Sequence, residues 1–252
     1  MYKALCTTIV LVALLASCKK DEDTPDPAPT TTPTPQCVAD IDGNRYDTLS
    51  IGGLTWFTEN LRVRRFKNGD SIPYVSGNAQ WLAEHDLALC SAYQNDEALV
   101  PLHGLLYTVA VVQDPRGVCP EGWHPSTDDD WKQLESHLGM PASELDSVTL
   151  PGPYGAWRGG TANVGGKLKS TTTWDGPNTG ADNSSGFNGL SSGEREFQGI
   201  FANMGEGATF WSAYPAQWMR GLSHQQSGIL RYHHGMGSDQ PGWGHSCRCV
   251  KD

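Results

Sequence analysis

The feature that most constrains the fold is a long segment without apolar runs, from Gly152 to Gly193. Gly, Asn, Asp, Ser and Thr dominate it, and Gly, Asn, Asp and Ser favour turns and loops. We therefore expect a long looped region with only short strands. The whole chain contains 29 Gly, 16 Pro and 9 Trp. Each Trp can bury a large area while its indole N–H reaches a backbone acceptor, so Trp side chains can build a core in a domain with little regular structure.

The N-terminus has the pattern of an export signal. Lys3 precedes an apolar run from Ala4 to Ala16, which is shorter than the roughly 20 residues that span a bilayer. The run ends in Leu15-Ala16-Ser17-Cys18, which resembles the bacterial lipobox, where a Cys is acylated and becomes the mature N-terminus. We expect residues 1–17 to be a lipoprotein signal peptide. Cys18 is then expected to carry acyl chains, among them palmitate, that anchor the protein to the membrane.

Residues 18–36 are expected to form a disordered linker. Its charged start, residues 19–23, resembles the Lys-plus-acid signal that sends lipoproteins to the outer face of the outer membrane in Bacteroidetes-like bacteria. A solvated charge run on a periplasm-facing anchor is the alternative. Thr24 to Gln36 is rich in Pro and Thr, which cannot bury a core and favour an extended, semi-rigid chain. We expect an outer-membrane, lipid-anchored protein at the cell surface.

The remainder, residues 37–252, has the length of one domain. The chain carries 18 basic and 28 acidic residues, a formal charge of −10. No basic patch with interleaved aromatic residues occurs in the sequence, so nucleic acid is not an expected partner.

The cysteines after Cys18 suit an exported protein, in which disulfides are permitted. There are five of them, so at least one thiol is free or bonds another chain; they are Cys37, Cys90, Cys119, Cys247 and Cys249. Cys247 and Cys249 would share one face of a strand, where they are better placed to bond partners elsewhere than each other. A metal site is the alternative, but no cluster of His or Cys with ligand spacing accompanies them. We expect disulfides, with no metal and no cofactor.

The clearest local pattern is a helix over residues 126–139. Ser126 or Thr127 can cap its first turn, and three acids follow in positions that suit the helix dipole. Trp131, Leu134 and Leu138 then share one face, and Gly139 ends the helix. A calcium site on the three acids is the alternative to a cap, although adjacent side chains rarely converge on one ion.

Other elements are expected from shorter patterns. Residues 38–46 read as a hairpin with an Asp-Gly turn, residues 54–63 as an extended stretch, and residues 78–90 as a short helix. Residues 104–112 form an apolar run that is expected to be buried, but its periodicity does not distinguish a helix from a strand. Three later strands are expected at residues 210–213, 228–232 and 246–250.

Several of these stretches together resemble the Fibrobacter succinogenes major paralogous domain, in order and over nearly all of residues 38–252. The most specific block is Val118-Cys119-Pro120-Glu121-Gly122-Trp123-His124 with Asp130-Trp131. The other matching residues include Asp40 to Asn44, Trp56, Glu59-Asn60-Leu61, Gly104, Leu106-Tyr107, Gly166 to Lys169, Ser185-Gly186-Phe187, Gly193, Arg195, Phe210-Trp211-Ser212 and Arg248 to Asp252.

The resemblance implies an α+β fold similar to C-type lectin-like domains, with small antiparallel sheets, one or two helices and long irregular loops. It also implies a disulfide between Cys119 and Cys249. Two residues depart from the family pattern. Pro125 stands where Val is common, and Cys247 replaces an apolar residue, which suggests an additional bond from Cys247 to Cys37 or Cys90.

The resemblance transfers no enzymatic activity, and we expect no catalysis. The leading hypothesis is a surface binding or adhesion module with a glycan or a surface protein as its partner, because such scaffolds display variable loops. The candidate ligand-binding residues, each of which could instead belong to the core, are Trp174, Asn178, Asp182, Asn183 and Trp243. Alternatives are a structural part of a surface assembly, or an enzyme on a formylglycine-generating-like scaffold that uses a free thiol or one of the His residues, such as His124 or His245.

Overall fold

The structure is a computed structural model, and it describes residues 37–148, 157–213, 218–233 and 242–252. All of these lie in one compact unit, Pro35–Asp252. The predicted signal peptide, the lipidated Cys18 and the linker lie outside the described residues. None of the helices within these ranges is long and apolar enough to span a membrane.

Two five-stranded sheets and one two-stranded sheet form the framework. The strands are β1 (Cys37–Ala39), β2 (Arg45–Ile51), β3 (Leu54–Phe57), β4 (Cys90–Ser91), β5 (Leu106–Tyr107), β6 (Trp123–Pro125), β7 (Ser192–Arg195), β8 (Phe201–Met204), β9 (Gly207–Ser212), β10 (Trp218–Ser223), β11 (Leu230–His233) and β12 (Cys249–Lys251). The strand orders are β1-β2-β3-β12-β6, β11-β10-β9-β7-β8 and β4-β5. Among these twelve strands of the described residues, every pairing is antiparallel except the one between β7 and β9.

The helices are short apart from one. They are α1 (Asn78–Glu84), α2 (Val100–His103), α3 (Val109–Val112), α4 (Asp128–His137) and α5 (Val164–Leu168). The fold is therefore α+β, with small sheets and little helix. From residue 157 to residue 191 the described chain contains α5 and isolated bridges but no strand, so the predicted looped region is confirmed there and its short strands are absent.

Helix α4 follows its sequence pattern closely. Thr127 and Asp130 form a reciprocal capping box. Trp131, Leu134 and Leu138 are buried in one hydrophobic core. The three acids diverge, because Asp128 turns inward, Asp129 is exposed and Asp130 makes the cap. This arrangement fits the capping interpretation and not the calcium alternative.

The other predicted elements are confirmed in part. The hairpin is present as β1 and β2. The extended stretch keeps strand pairing only in β3, and the short helix ends at Glu84, with Leu82 and Leu87 exposed. The 104–112 run is divided between β5 and α3. The later strands are β9, β11 and β12, with boundaries shifted by a few residues.

Neighbouring aromatic residues build a core on each side of the sheets. Because side chains alternate along a strand, Trp56 of β3 packs in the core that contains α4, and Phe57 packs in a second core beside the disulfide. Phe210 and Trp211 of β9 divide between the same two cores. Five of the nine Trp are buried, while Trp157, Trp174, Trp218 and Trp243 are partly exposed.

The disulfide between Cys119 and Cys249 is present, with a sequence separation of 130 residues, as the resemblance implied. Cys37, Cys90 and Cys247 are thiols, so the additional bond from Cys247 is wrong. Cys247 is completely buried, whereas Cys37 is exposed on the edge strand. Burial raises the pKa of the Cys90 and Cys247 thiols to about 12, which leaves both protonated and poorly reactive.

Candidate functional site

Four of the five predicted ligand-binding residues lie in one loop. Trp174, Asn178, Asp182 and Asn183 belong to residues 170–189, which follow α5 and which we call the Gly/Asn-rich loop. Trp243 lies in another part of the fold, between β11 and β12. The five candidate residues therefore lie in two separate places.

A buried lysine fixes the Gly/Asn-rich loop from below. Lys169 follows α5, and its Nζ donates to the carbonyl oxygens of Thr179 at 2.8 Å, Ser223 at 2.9 Å and Gln226 at 2.9 Å. Burial lowers the pKa of Lys169 to about 8. Its three donors are all used, so Lys169 holds the loop to the end of β10 and offers no group to a ligand.

Trp174 lies above this lysine. Its ring centroid is 5.5 Å from Lys169 Nζ, within the range of a cation–π contact, and its Nε1 donates to the carbonyl oxygen of Gly189 at 3.0 Å. The indole is partly exposed. The ring is therefore held in one orientation with part of its surface available to solvent.

The loop amides are largely engaged with the loop itself. Asn178 Nδ2 donates to the Ser170 carbonyl oxygen at 3.1 Å, and Asn183 Oδ1 accepts from the backbone N–H of Asn188 at 2.9 Å. Asp182 accepts from the backbone N–H of Ser184 at 2.9 Å, and this bond lowers the pKa of Asp182. Asp182 is exposed, so its carboxylate is the polar group of this set that solvent reaches most readily.

Trp243 belongs to an aromatic and acidic cluster. Its ring stacks on His245 with centroids 5.9 Å apart and also contacts Phe197 at 6.4 Å. The ring centroid of Trp211 lies 4.5 Å from that of His245. His245 thus contacts two indoles, one buried and one partly exposed.

Sequence reasoning missed the polar partners of His245. Thr209 Oγ1 lies 2.6 Å from His245 Nδ1 and 3.3 Å from Glu194 Oε2, and Asn203 Nδ2 donates to Glu194 Oε1 at 2.7 Å. Burial raises the pKa of Glu194 to about 7. These residues come from three strands and the segment before β12, and no short motif connects them, so the sequence offers no signal for the cluster.

A second missed feature is a buried charge network beneath β10 and β11. Glu135 of α4 binds Arg158 and Arg220, and Asp128 binds Arg220 and Arg231. Burial alone would raise the pKa of Asp128, but the hydrogen bond from Arg231 and the charge of Arg220 hold it well below its usual range. Both acids are fully engaged with these arginines, although Arg158 Nε and Arg220 Nη1 are buried without a hydrogen-bond partner among the described residues, and this mutual pairing indicates a structural role.

His124 makes a third polar cluster, at the surface. Its Nε2 lies 3.0 Å from Asp130 and its Nδ1 lies 2.7 Å from Asp252. The hydrogen bond with Asp130 is the main cause that raises the pKa of His124. The imidazole thereby connects the helix cap to the last residue of the chain.

A small open depression adjoins the disulfide. It measures about 260 Å³ and is lined by Ala39, Asp40, Ile41, Lys67, Val118, Cys119, Pro120 and Glu121. The oxygens of Asp40 accept hydrogen bonds from Asp42, Asn44 and Tyr46, so they are engaged within the protein. Within the described ranges, no group of three or more His, Cys, Asp or Glu side chains is arranged to hold a metal ion.

Most residues that carry the family resemblance have structural roles. Asn60 Nδ2 donates to the His103 carbonyl oxygen and to Ser192, while its Oδ1 accepts from Arg248. Arg248 is completely buried and donates to three carbonyl oxygens, and Arg195 lies between the rings of Trp81 and Phe201. At these positions the motif residues therefore specify how the loops pack.

Comparison with known proteins identifies a family over most of the chain. The Fibrobacter succinogenes major domain model matches residues 49–251. Neither a curated protein nor a solved structure matches. Because the matched range covers far more than half of the sequence, this chain belongs to the Fibrobacter succinogenes major domain family.

Proposed function

We propose that this protein is a non-catalytic binding module, displayed on the cell surface by a lipid on Cys18, and that glycans bind at its Gly/Asn-rich loop. The observation that carries the proposal is the placement of Trp174. An indole with one exposed part can stack on the apolar face of a sugar, and its fixed orientation reduces the entropy lost on binding. Asp182 supplies a charged acceptor for sugar hydroxyls on the same loop.

The scaffold supports this assignment. Small sheets carry a long irregular loop, which a buried lysine fixes in this chain. Small sheets with a long irregular loop region are expected of a C-type lectin-like domain, and we propose that fold relationship for this chain. The proposal differs from the sequence prediction in one respect, because Trp243 is assigned to a separate cluster.

The test is binding of the full-length protein, purified in detergent, to a broad glycan array, with calcium and with a chelator. Trp174→Ala should abolish binding to the glycan class that the wild type recognises. Trp243→Ala is the matched control, because it also removes one partly exposed indole, and it should leave binding unchanged. If no glycan binds the wild type under either condition, the glycan assignment is wrong and a protein partner becomes the better candidate.

The anchor is tested separately. Metabolic labelling with a radioactive palmitate should mark the wild type and not Cys18→Ser. Protease added to intact cells should degrade the protein if it faces outward. Labelling that survives Cys18→Ser, or full protection from protease, would contradict the anchor or its orientation, respectively.

A further inference from the structure

The most unusual polar feature outside the Gly/Asn-rich loop is a chain of three side chains that runs inward. Glu194 on β7 is nearly buried, Thr209 on β9 lies beside it, and His245 is completely buried. Thr209 is the central member, since it is within hydrogen-bond distance of Glu194 Oε2 and of His245 Nδ1. Glu194 Oε2 and His245 Nδ1 are 3.6 Å apart.

A hydroxyl group between two titratable groups can donate to only one of them, because it has a single proton. Asn203 donates to Glu194 Oε1, so Oε2 is the oxygen whose role can change. If Glu194 is ionised, Oε2 must accept, Thr209 donates to it, and His245 Nδ1–H donates to Thr209. If Glu194 carries a proton on Oε2, it donates to Thr209, and Thr209 donates to an unprotonated Nδ1.

We propose that Glu194, Thr209 and His245 form a proton-binding site in which the proton on Glu194 sets the tautomer of His245. When the pH is low enough for Glu194 to carry its proton, the imidazole proton of His245 is on Nε2. When the pH is high enough for Glu194 to be ionised, the imidazole proton is on Nδ1. The proton balance is simple. One proton leaves Glu194 for solvent, Thr209 rotates its O–H, and the neutral imidazole exchanges a proton on one nitrogen for a proton on the other.

The residues around Glu194 bring its titration close to neutral pH. Burial, together with the negative charge of Glu196 just after β7, raises the pKa of Glu194 to about 7. From the neighbouring elements, Asn203 and Thr209 stabilise the ionised form by donating hydrogen bonds. Tyr93 lies close enough to interact with Glu194. Burial is the main cause that raises the pKa of Tyr93, and the negative charge of Glu194 raises it as well.

The site is connected to the surface and to the framework. The backbone of His245 pairs with Tyr107 of β5, Gly244 pairs with Arg195 of β7, and Ser246 donates to the Thr209 carbonyl oxygen. Trp243 stacks on the imidazole and is partly exposed. A change of the His245 tautomer therefore alters the electrostatics beneath a surface indole, and the protein senses pH at this edge independently of ligand binding at the Gly/Asn-rich loop.

The direct test is nitrogen-15 NMR of the His245 imidazole in the full-length protein, from pH 5 to pH 9. We expect the Nε2–H tautomer at pH 5 and the Nδ1–H tautomer at pH 9, with a midpoint near the pKa of Glu194, about 7. An imidazole that keeps one tautomer throughout, or that is protonated on both nitrogens in this range, would overturn the proposal without any variant being needed.

Three variants sharpen the test. In Glu194→Gln, the amide oxygen can keep the Asn203 contact, so the NH₂ group faces Thr209 as a permanent donor, and His245 should keep the low-pH tautomer at every pH. In Thr209→Val, the tautomer should no longer follow Glu194. Glu196→Gln is the control, since it should retain the change of tautomer with a lower midpoint. A pH-dependent tautomer in the folded Glu194→Gln protein contradicts the relay.

Discussion

The buried carboxylate of Glu135 gives the sharpest stability prediction. Its Oε1 accepts from Arg220 Nε at 2.6 Å and from Arg158 Nη2 at 2.9 Å, and its Oε2 accepts from Arg158 Nη1 at 3.0 Å. All three side chains are at most 2% exposed. Glu135→Gln keeps the shape but removes the charge, and it turns an amide donor toward a guanidinium donor.

The expected loss follows from the burial of the partners. Removing one member of a buried ion pair leaves an uncompensated charge and costs about 3–5 kcal/mol, a large share of the roughly 5–15 kcal/mol that stabilises a typical domain. The surface pair of Arg64 and Glu97 is the matched control, because its side chains are 39% and 59% exposed. Glu97→Gln should cost less than about 1 kcal/mol.

The assay is urea unfolding at pH 7, followed by tryptophan fluorescence, with the free energy of unfolding taken from the midpoint and slope. A loss below about 1 kcal/mol for Glu135→Gln, at an unchanged slope, would refute the reasoning. That result would mean that water or a rearranged partner compensates both arginines.

Three further predictions concern the disulfide and two titrating side chains. Replacing both Cys119 and Cys249 by Ala should lower the free energy of unfolding by about 3–5 kcal/mol, because the bond closes a 130-residue loop; an unchanged urea midpoint would contradict this. The raised pKa of Glu194 means that the folded state binds its proton more tightly than the unfolded state, so stability should fall as pH rises from about 4.5 to about 7, by about 3 kcal/mol in total. Glu194→Gln should remove that slope, and urea unfolding at pH 5 and pH 8 measures it. The raised pKa of His124 contributes stability that is fully present below its usual pKa of 6.5 and is lost as pH rises through its raised value; Asp130→Asn should weaken this dependence, and a melting temperature that follows pH equally in both proteins would contradict it.

Local patterns predicted local structure well. Helix α4 could be predicted because its cap and its apolar stripe lie within a dozen residues, and the first hairpin because its turn is encoded by neighbouring residues. The position of β12 between β3 and β6 could not, since Val250 pairs with Trp56 and with His124 across long stretches of chain. No periodicity in the sequence carries that information.

The candidate sites illustrate the same limit. Trp174, Asn178, Asp182 and Asn183 were predicted as ligand-binding residues from their side-chain types, and they share one loop because they lie close together in sequence. Composition alone did not show that the two Asn side chains hydrogen-bond their own loop. The relay of Glu194, Thr209 and His245 was missed because its members meet only after two sheets and the final segment have packed together.

The disulfide also has a mechanical consequence if the head is anchored and binds a ligand as proposed. Under tension between Cys37 and a ligand at the Gly/Asn-rich loop, the load would enter through β1, which pairs with β2 over three residues, and would reach Cys119 along a single stretch of chain. From there the bond to Cys249 divides the load between two stretches of chain, because the Gly/Asn-rich loop lies between the two bonded cysteines. Each of these stretches then carries only part of the load, so we expect the first hairpin to open before the part of the protein that carries Trp174.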